Sequence, residues 1–189
     1  MPNRIDYEFL SRLEGGSRTS GYVPVPKSSK SGVTIATGFD LGQRDEDELR
    51  QLELNESLIT TLKPYLGVKG EAAAALIRNN PLTITDSQAE TIDQAVKKEH
   101  IGKLRTRYRS APGNTSGKPF FEIPAEAQTV IASVSFQYGV NLKVATPKFW
   151  RAASSQNWQQ SVSILRNFRD AYPTRRRKEA RLLERVLNE

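Results

Sequence analysis

One short stretch of strand-forming sequence stands in a chain that otherwise reads as helix. Tyr22-Val23-Pro24-Val25-Pro26 has the form of an edge strand or extended segment, because proline cannot donate to a central ladder. Lys27 to Gly32 is polar turn sequence, and Val33 to Phe39 alternates as a returning strand. Beyond it, Asp45 to Leu52, Asn55 to Lys63 and Glu71 to Arg78 have helical lengths, punctuated by Pro64, Gly67, Gly70 and Pro81. Thr85 to about Arg109 predicts one long helix, with a capping box spelled by Thr85 and Gln88 and with Ile92, Ala95 and Val96 on its buried side. Ala111 to Pro119 reads as a flexible loop, and Pro124 suits the first turn of the next helix. A single small hairpin among many helices makes the fold class α+β, mainly helical. At 189 residues the chain fits one domain, large enough to divide into two lobes.

The first helix carries the most suggestive side chain. Ile5, Phe9, Leu10 and Leu13 share one face, and Gly15-Gly16 stops the helix just after Glu14. A carboxylate at a helix C-terminus beside Leu13 is disfavoured by the dipole and by partial desolvation, which predicts a raised pKa and a general acid at neutral pH. A solvated helix-end glutamate is the alternative. Downstream, Thr34 and Asp40 fall on the same face of the returning strand, yet an unbroken strand would hold them about 20 Å apart. A bend at Gly38 is therefore expected if both serve one site. Otherwise Thr34 is an ordinary strand residue and Asp40 a turn or cap residue.

At these residues the chain resembles the phage-type lysozymes of glycoside hydrolase family 24, and more closely the branch of pesticin-type bacterial toxins. The shared elements are Glu14 ending the first helix, the strand Thr34-Ile35-Ala36-Thr37-Gly38 in place of a Thr-Ile-Gly-x-Gly pattern, and Phe39-Asp40-Leu41-Gly42-Gln43 after it. Leu82 to Glu90 is similar to the family's entry into its central helix, and Ile131 to Gly139 to its buried helix ending in a Phe-Gln/Asn-x-Gly step. Phe149 to Leu165, and Tyr172 to Glu179, resemble the closing helices. The resemblance implies a two-lobed lysozyme-like fold: a small β-hairpin lobe over about 15–80, and a helical lobe formed by about 1–14 with 81–189, joined by the long helix. It implies hydrolysis of the β-1,4 bond between N-acetylmuramic acid and N-acetylglucosamine, with inversion. Glu14, Asp40 and Thr34 are the catalytic candidates, and Tyr22, Thr37 and Gln137 the substrate-binding candidates. Capping or core hydrogen bonding is the alternative for Gln137.

Several classes of chemistry find no support. With no cysteine there is no disulfide or thiol site, and the lone His100, read as an exposed histidine among Lys97, Lys98 and Glu99, cannot build a triad or a His-rich metal site. No metal or cofactor is expected. Met1 to Asp6 lacks a signal core and no run has membrane length, so the expected route to a periplasmic cell wall is a phage pore, a secretion machine, or a longer natural N-terminus that precedes this sequence. The net charge of +7 calls for an anionic partner such as peptidoglycan. Arg175-Arg176-Arg177-Lys178 is the densest basic cluster, and with Glu179 and Glu184 in the same helix it reads as a solvated, salt-bridged face. Trp150 and Trp158 read as core. A monomer acting on glycan strands, with an immunity or inhibitor protein as protein partner and no nucleic acid or membrane insertion, is the expectation. A non-catalytic wall-binding or nucleic-acid-binding module on the same fold is the alternative.

Overall fold

The computed structural model describes residues 2–27 and 30–188. The chain divides into two compact units: Met1–Leu13 with His100–Glu189, and Glu14–Glu99. The long helix contributes its first part to one unit and its second part to the other. No helix among the described residues is long and apolar enough to cross a membrane.

The Glu14–Glu99 unit begins with a three-stranded antiparallel sheet of order β1-β2-β3, formed by β1 (Arg18–Tyr22), β2 (Thr34–Ala36) and β3 (Phe39–Asp40). The first strand therefore lies before the proline-rich segment, not on it. Arg18–Tyr22 has no strand-like alternation; it is held by β2 on one side and by the Leu82–Ile84 backbone on the other, through Gly21 N–H to Leu82 O and Ile84 N–H to Thr19 O. Pro24 and Pro26 lie just beyond, where no ladder donor is needed. The centre of the polar turn run, Ser28 and Ser29, lies outside the described residues. Three helices follow: α2 (Glu46–Gln51) with a capping box from Asp45 and Glu48, α3 (Glu56–Leu62) capped by Asn55, and α4 (Gly70–Asn79). Val33, Ile35, Leu41, Leu49, Leu58, Ile59, Leu62 and Ile92 form the core of this unit.

α5 (Asp86–Arg109) starts at the expected capping box, with Thr85 N–H donating to Gln88 Oε1 at 2.9 Å and Gln88 N–H to Thr85 Oγ1 at 3.1 Å. Its second half joins the other unit. There α1 (Tyr7–Ser11, N-capped by Asp6), α6 (Ala125–Tyr138), α7 (Leu142–Ala145), α8 (Pro147–Ser154), α9 (Trp158–Arg166) and α10 (Pro173–Glu184) surround a second core. Ile5 and Leu10 are buried in it with Phe9 packed alongside, so the apolar face read from the first helix is the one used. Trp150 is buried against Tyr108, edge to face. The 111–119 loop is better organised than its composition suggests. Asn114 is buried, its Nδ2 donates to the carbonyls of Tyr108 and Lys118, and its Oδ1 accepts from Lys118 N–H.

Two polar readings need correction. His100 is half-buried, not exposed: its Nε2 is 2.9 Å from Ser135 Oγ and its ring lies 4.5 Å from that of Phe136. The Arg175–Lys178 run is not a solvated face. Arg176 is 2% exposed, pairs with Asp170 at 2.8 Å and with the fully buried Glu179, and packs its guanidinium over Phe168 and Tyr138. Arg175 pairs with Glu179 at 3.2 Å and donates to Ser133 O and Leu13 O. Only Arg177 and Lys178 of the four are exposed. A run of charges gives no direct sign of burial, because the groups that cover it, Leu13, Ser133, Gln137 and Tyr138, lie elsewhere in the chain.

Candidate active site

Within the Glu14–Glu99 unit, β2 and β3 are the two arms of one bent strand. Thr37 and Gly38 form the tip, with Gly38 at φ +82° and Ala36 at φ +51°. Gly38 supplies the bend the sequence demanded. Ala36 adopts a left-handed conformation that glycine takes far more readily, at the position where the family pattern carries glycine. Bending sets Thr34 directly opposite Asp40 in the ladder, so the two side chains leave one face of the sheet as neighbours, with Cβ atoms about 5 Å apart.

Asp40 is firmly held. Its Oδ1 accepts from Gly32 N–H at 2.8 Å and from Gly42 N–H at 2.9 Å, the latter capping a single 3-10 turn over Leu41–Gln43. Oδ2 has no hydrogen-bond partner among the described residues, and the residue is half-buried. Asp40 is thus a cap through one oxygen and open through the other. The cradle depends on glycine at both donors: a Cβ on Gly32 would lie 2.4 Å from Gly42 Cα, and one on Gly42 2.7 Å from Val68 O. Thr34 is 3% exposed and donates its hydroxyl to Gly32 O at 3.2 Å, which ties it to the same residue whose N–H holds Asp40.

Glu14 does not close the first helix. α1 ends at Ser11 with Arg12 as C-cap, and Glu14 sits in a bend beyond it. The macrodipole acts within the last turn, so the expected helix-end environment is not the one found. Its neighbour is Lys97 of α5, whose ammonium lies 3.3 Å from the carboxylate. One turn earlier on α5, Asp93 accepts Thr37 N–H and Thr37 Oγ1–H, each at 2.9 Å, and Ser17 Oγ–H at 2.9 Å. Residues four apart on a helix are adjacent on its surface. One face of α5 therefore holds both the segment that follows Glu14 and the hairpin tip, and about 10 Å of strand separates that tip from the Thr34–Asp40 pair.

Of the substrate-binding candidates, Thr37 spends its hydroxyl proton on Asp93, and Tyr22 is half-buried with the Arg18 guanidinium 4.2 Å over its ring. Gln137 lies in the other unit, where its Oε1 accepts from Arg176 and its Nε2 has no partner among the described residues. Asp93 and Lys97 escape a reading of the sequence. The available signal is that each follows a residue of the apolar stripe, Ile92 and Val96, and such flanking positions are half-buried.

A family model described as Pesticin, the C-terminal part of a bacterial toxin homologue of phage lysozyme, matches residues 4–159. The chain belongs to this family. The match includes Glu14, the bent strand, Asp40 and all of α5, and it ends before the 172–179 segment that also carried the resemblance. No curated protein matches the chain. At the level of the pesticin family this is a lysozyme-like peptidoglycan hydrolase.

Proposed function

We propose that the chain is a muramidase that hydrolyses the β-1,4 bond between N-acetylmuramic acid and N-acetylglucosamine with inversion, as a delivered antibacterial toxin or a phage endolysin acting on the periplasmic wall. Glu14 protonates the leaving glycosidic oxygen. Asp40, through Oδ2, takes a proton from a water that attacks the anomeric carbon from the opposite face of the sugar. Thr34 supports Asp40 through Gly32. The observation that carries the reading is the half-anchored Asp40: two backbone donors fix the carboxylate in orientation and leave one oxygen for a water.

Isosteric replacements test the two roles separately. Glu14→Gln removes the proton donor and keeps the shape, and is expected to abolish loss of turbidity of purified sacculi in a protein with unchanged circular dichroism. Asp40→Asn keeps an acceptor for Gly32 and Gly42, so it should fold normally and lose about 10²–10⁴ in rate. A folded Asp40→Asn protein with wild-type activity would make Asp40 a cap alone.

A further inference from the structure

The charge of this chain is divided unevenly. The Met1–Leu13/His100–Glu189 unit carries 18 Lys and Arg against 8 Asp and Glu, whereas Glu14–Glu99 carries 10 against 13. Within the basic unit four of the eight acids are already engaged: Glu8 with Arg12, Asp170 and Glu179 with Arg175 and Arg176, and Glu184 with Arg166. From His100 to Arg169 the only carboxylates are Glu122 and Glu126, against ten Lys and Arg. The unbalanced charge therefore collects at the C-terminal end of α5 and the helices packed with it.

Four of these cations line two small concavities on either flank of α5. Arg105 and Arg109, one turn apart, border a pocket of about 270 Å³ with Gly102 and Thr106. Arg107, on the other side of the helix, shares a pocket of about 210 Å³ with Lys143 and Asn141. All four are exposed, and none has a carboxylate partner among the described residues. Arg105 rests its guanidinium 4.4 Å from the centre of the Phe121 ring, which holds it in place without neutralising it. The helix dipole accounts for cations in the last turn of α5, but not for Arg105 or Lys143.

From this we infer that the end of α5 is a docking surface for a base-free phosphodiester polymer, such as a polyol phosphate of the cell envelope. Guanidinium forks engage phosphate oxygens in pairs, and cations on both flanks of one ridge suit a chain of successive anions. Nucleic acid is the less suitable polyanion here. The nearby rings, Tyr108, Phe120 and Trp150, are buried, and Phe121 is covered by Arg105, which leaves no platform for stacking bases. Charge and geometry define this surface, independently of any hydrolase activity.

The test measures binding of the whole chain to poly(glycerol phosphate) by titration calorimetry between 50 and 200 mM salt, with neutral dextran and single-stranded poly(U) in parallel. Binding to poly(glycerol phosphate) but not dextran is expected, falling with salt. Arg105→Gln/Arg107→Gln/Arg109→Gln/Lys143→Gln should weaken it at least tenfold and flatten the salt slope. Arg107→Glu/Arg109→Glu, which spares the Arg105–Phe121 contact, should do the same if the quadruple variant folds poorly. Arg177→Gln/Lys178→Gln/Arg181→Gln/Arg185→Gln removes equal charge from α10 and its C-cap and should leave most of the affinity. Equal loss in the two quadruple sets, no binding at all, or tighter binding to poly(U) would each overturn the inference.

Discussion

Asp93 shows how one side chain can order a site it does not belong to. Its carboxylate collects three donors from two segments, Ser17 next to the Glu14 bend and Thr37 at the hairpin tip, while Lys97 one turn along meets Glu14 itself. If Glu14 and Asp40 act together, Asp93 sets the relation between the segments that carry them, and it is a positioning residue. Displacing reacting groups by about 1 Å can cost about 10²-fold in rate. Asp93→Ala is therefore expected to lower kcat on a soluble muropeptide oligomer by about 10- to 100-fold with little change in KM, and to cost about 1.5–3 kcal/mol of stability. Asp93→Asn, which still accepts from Thr37 N–H, should recover most of kcat. A destabilised Asp93→Ala protein with normal kcat would reduce the residue to a structural tie.

Among the elements, the bent β2–β3 strand shows what local sequence can reveal and what it cannot. A bend at Gly38 was expected from rise per residue on the condition that Thr34 and Asp40 serve one site, and the structure has the bend there. The first helix's apolar face and the α5 capping box were equally legible, because each is specified by residues within a turn of one another. The cradle of Asp40 was not. It needs Gly32, Gly42 and Val68 to meet as backbones, a contact between three loops that no periodicity reports. β1 was misplaced for the same reason, since Arg18–Tyr22 is a strand by virtue of its partners. Gly42→Ala forces a methyl against Gly32 Cα and Val68 O, an overpacking cost of about 1–3 kcal/mol, and separates the two donors of Asp40. Urea denaturation should record the loss, and activity measured well below the melting transition should fall further than the unfolded fraction explains. Activity that tracks the folded fraction alone would show that the cradle serves stability only.

For the molecule as a whole, the basic run that looked like a surface is part of what holds the helical unit together, and that gives its stability a definite acid dependence. Asp170 is subject to opposing influences. Burial raises its pKa, but hydrogen bonds from Arg176, Tyr138 and the Tyr172 N–H outweigh burial and hold the carboxyl below its ordinary 3.8. A carboxyl whose folded pKa is depressed contributes stability that is fully present above the unfolded value and is lost as pH falls through the folded value. The contribution of Asp170 is therefore intact at neutral pH and disappears below about pH 3.8. Asp170→Asn removes the charge facing Arg176 while Glu179 still pairs with it, so the variant should be less stable at pH 7 by about 1–3 kcal/mol. Because the wild type loses the same contribution in acid, the two urea midpoints should converge over the acid range below about pH 3.8, with the wild type showing the steeper decline. A stability gap that stays constant over that range would mean that the cost of Asp170→Asn comes from packing or hydrogen-bond geometry, and that the charge of Asp170 does not stabilise the fold.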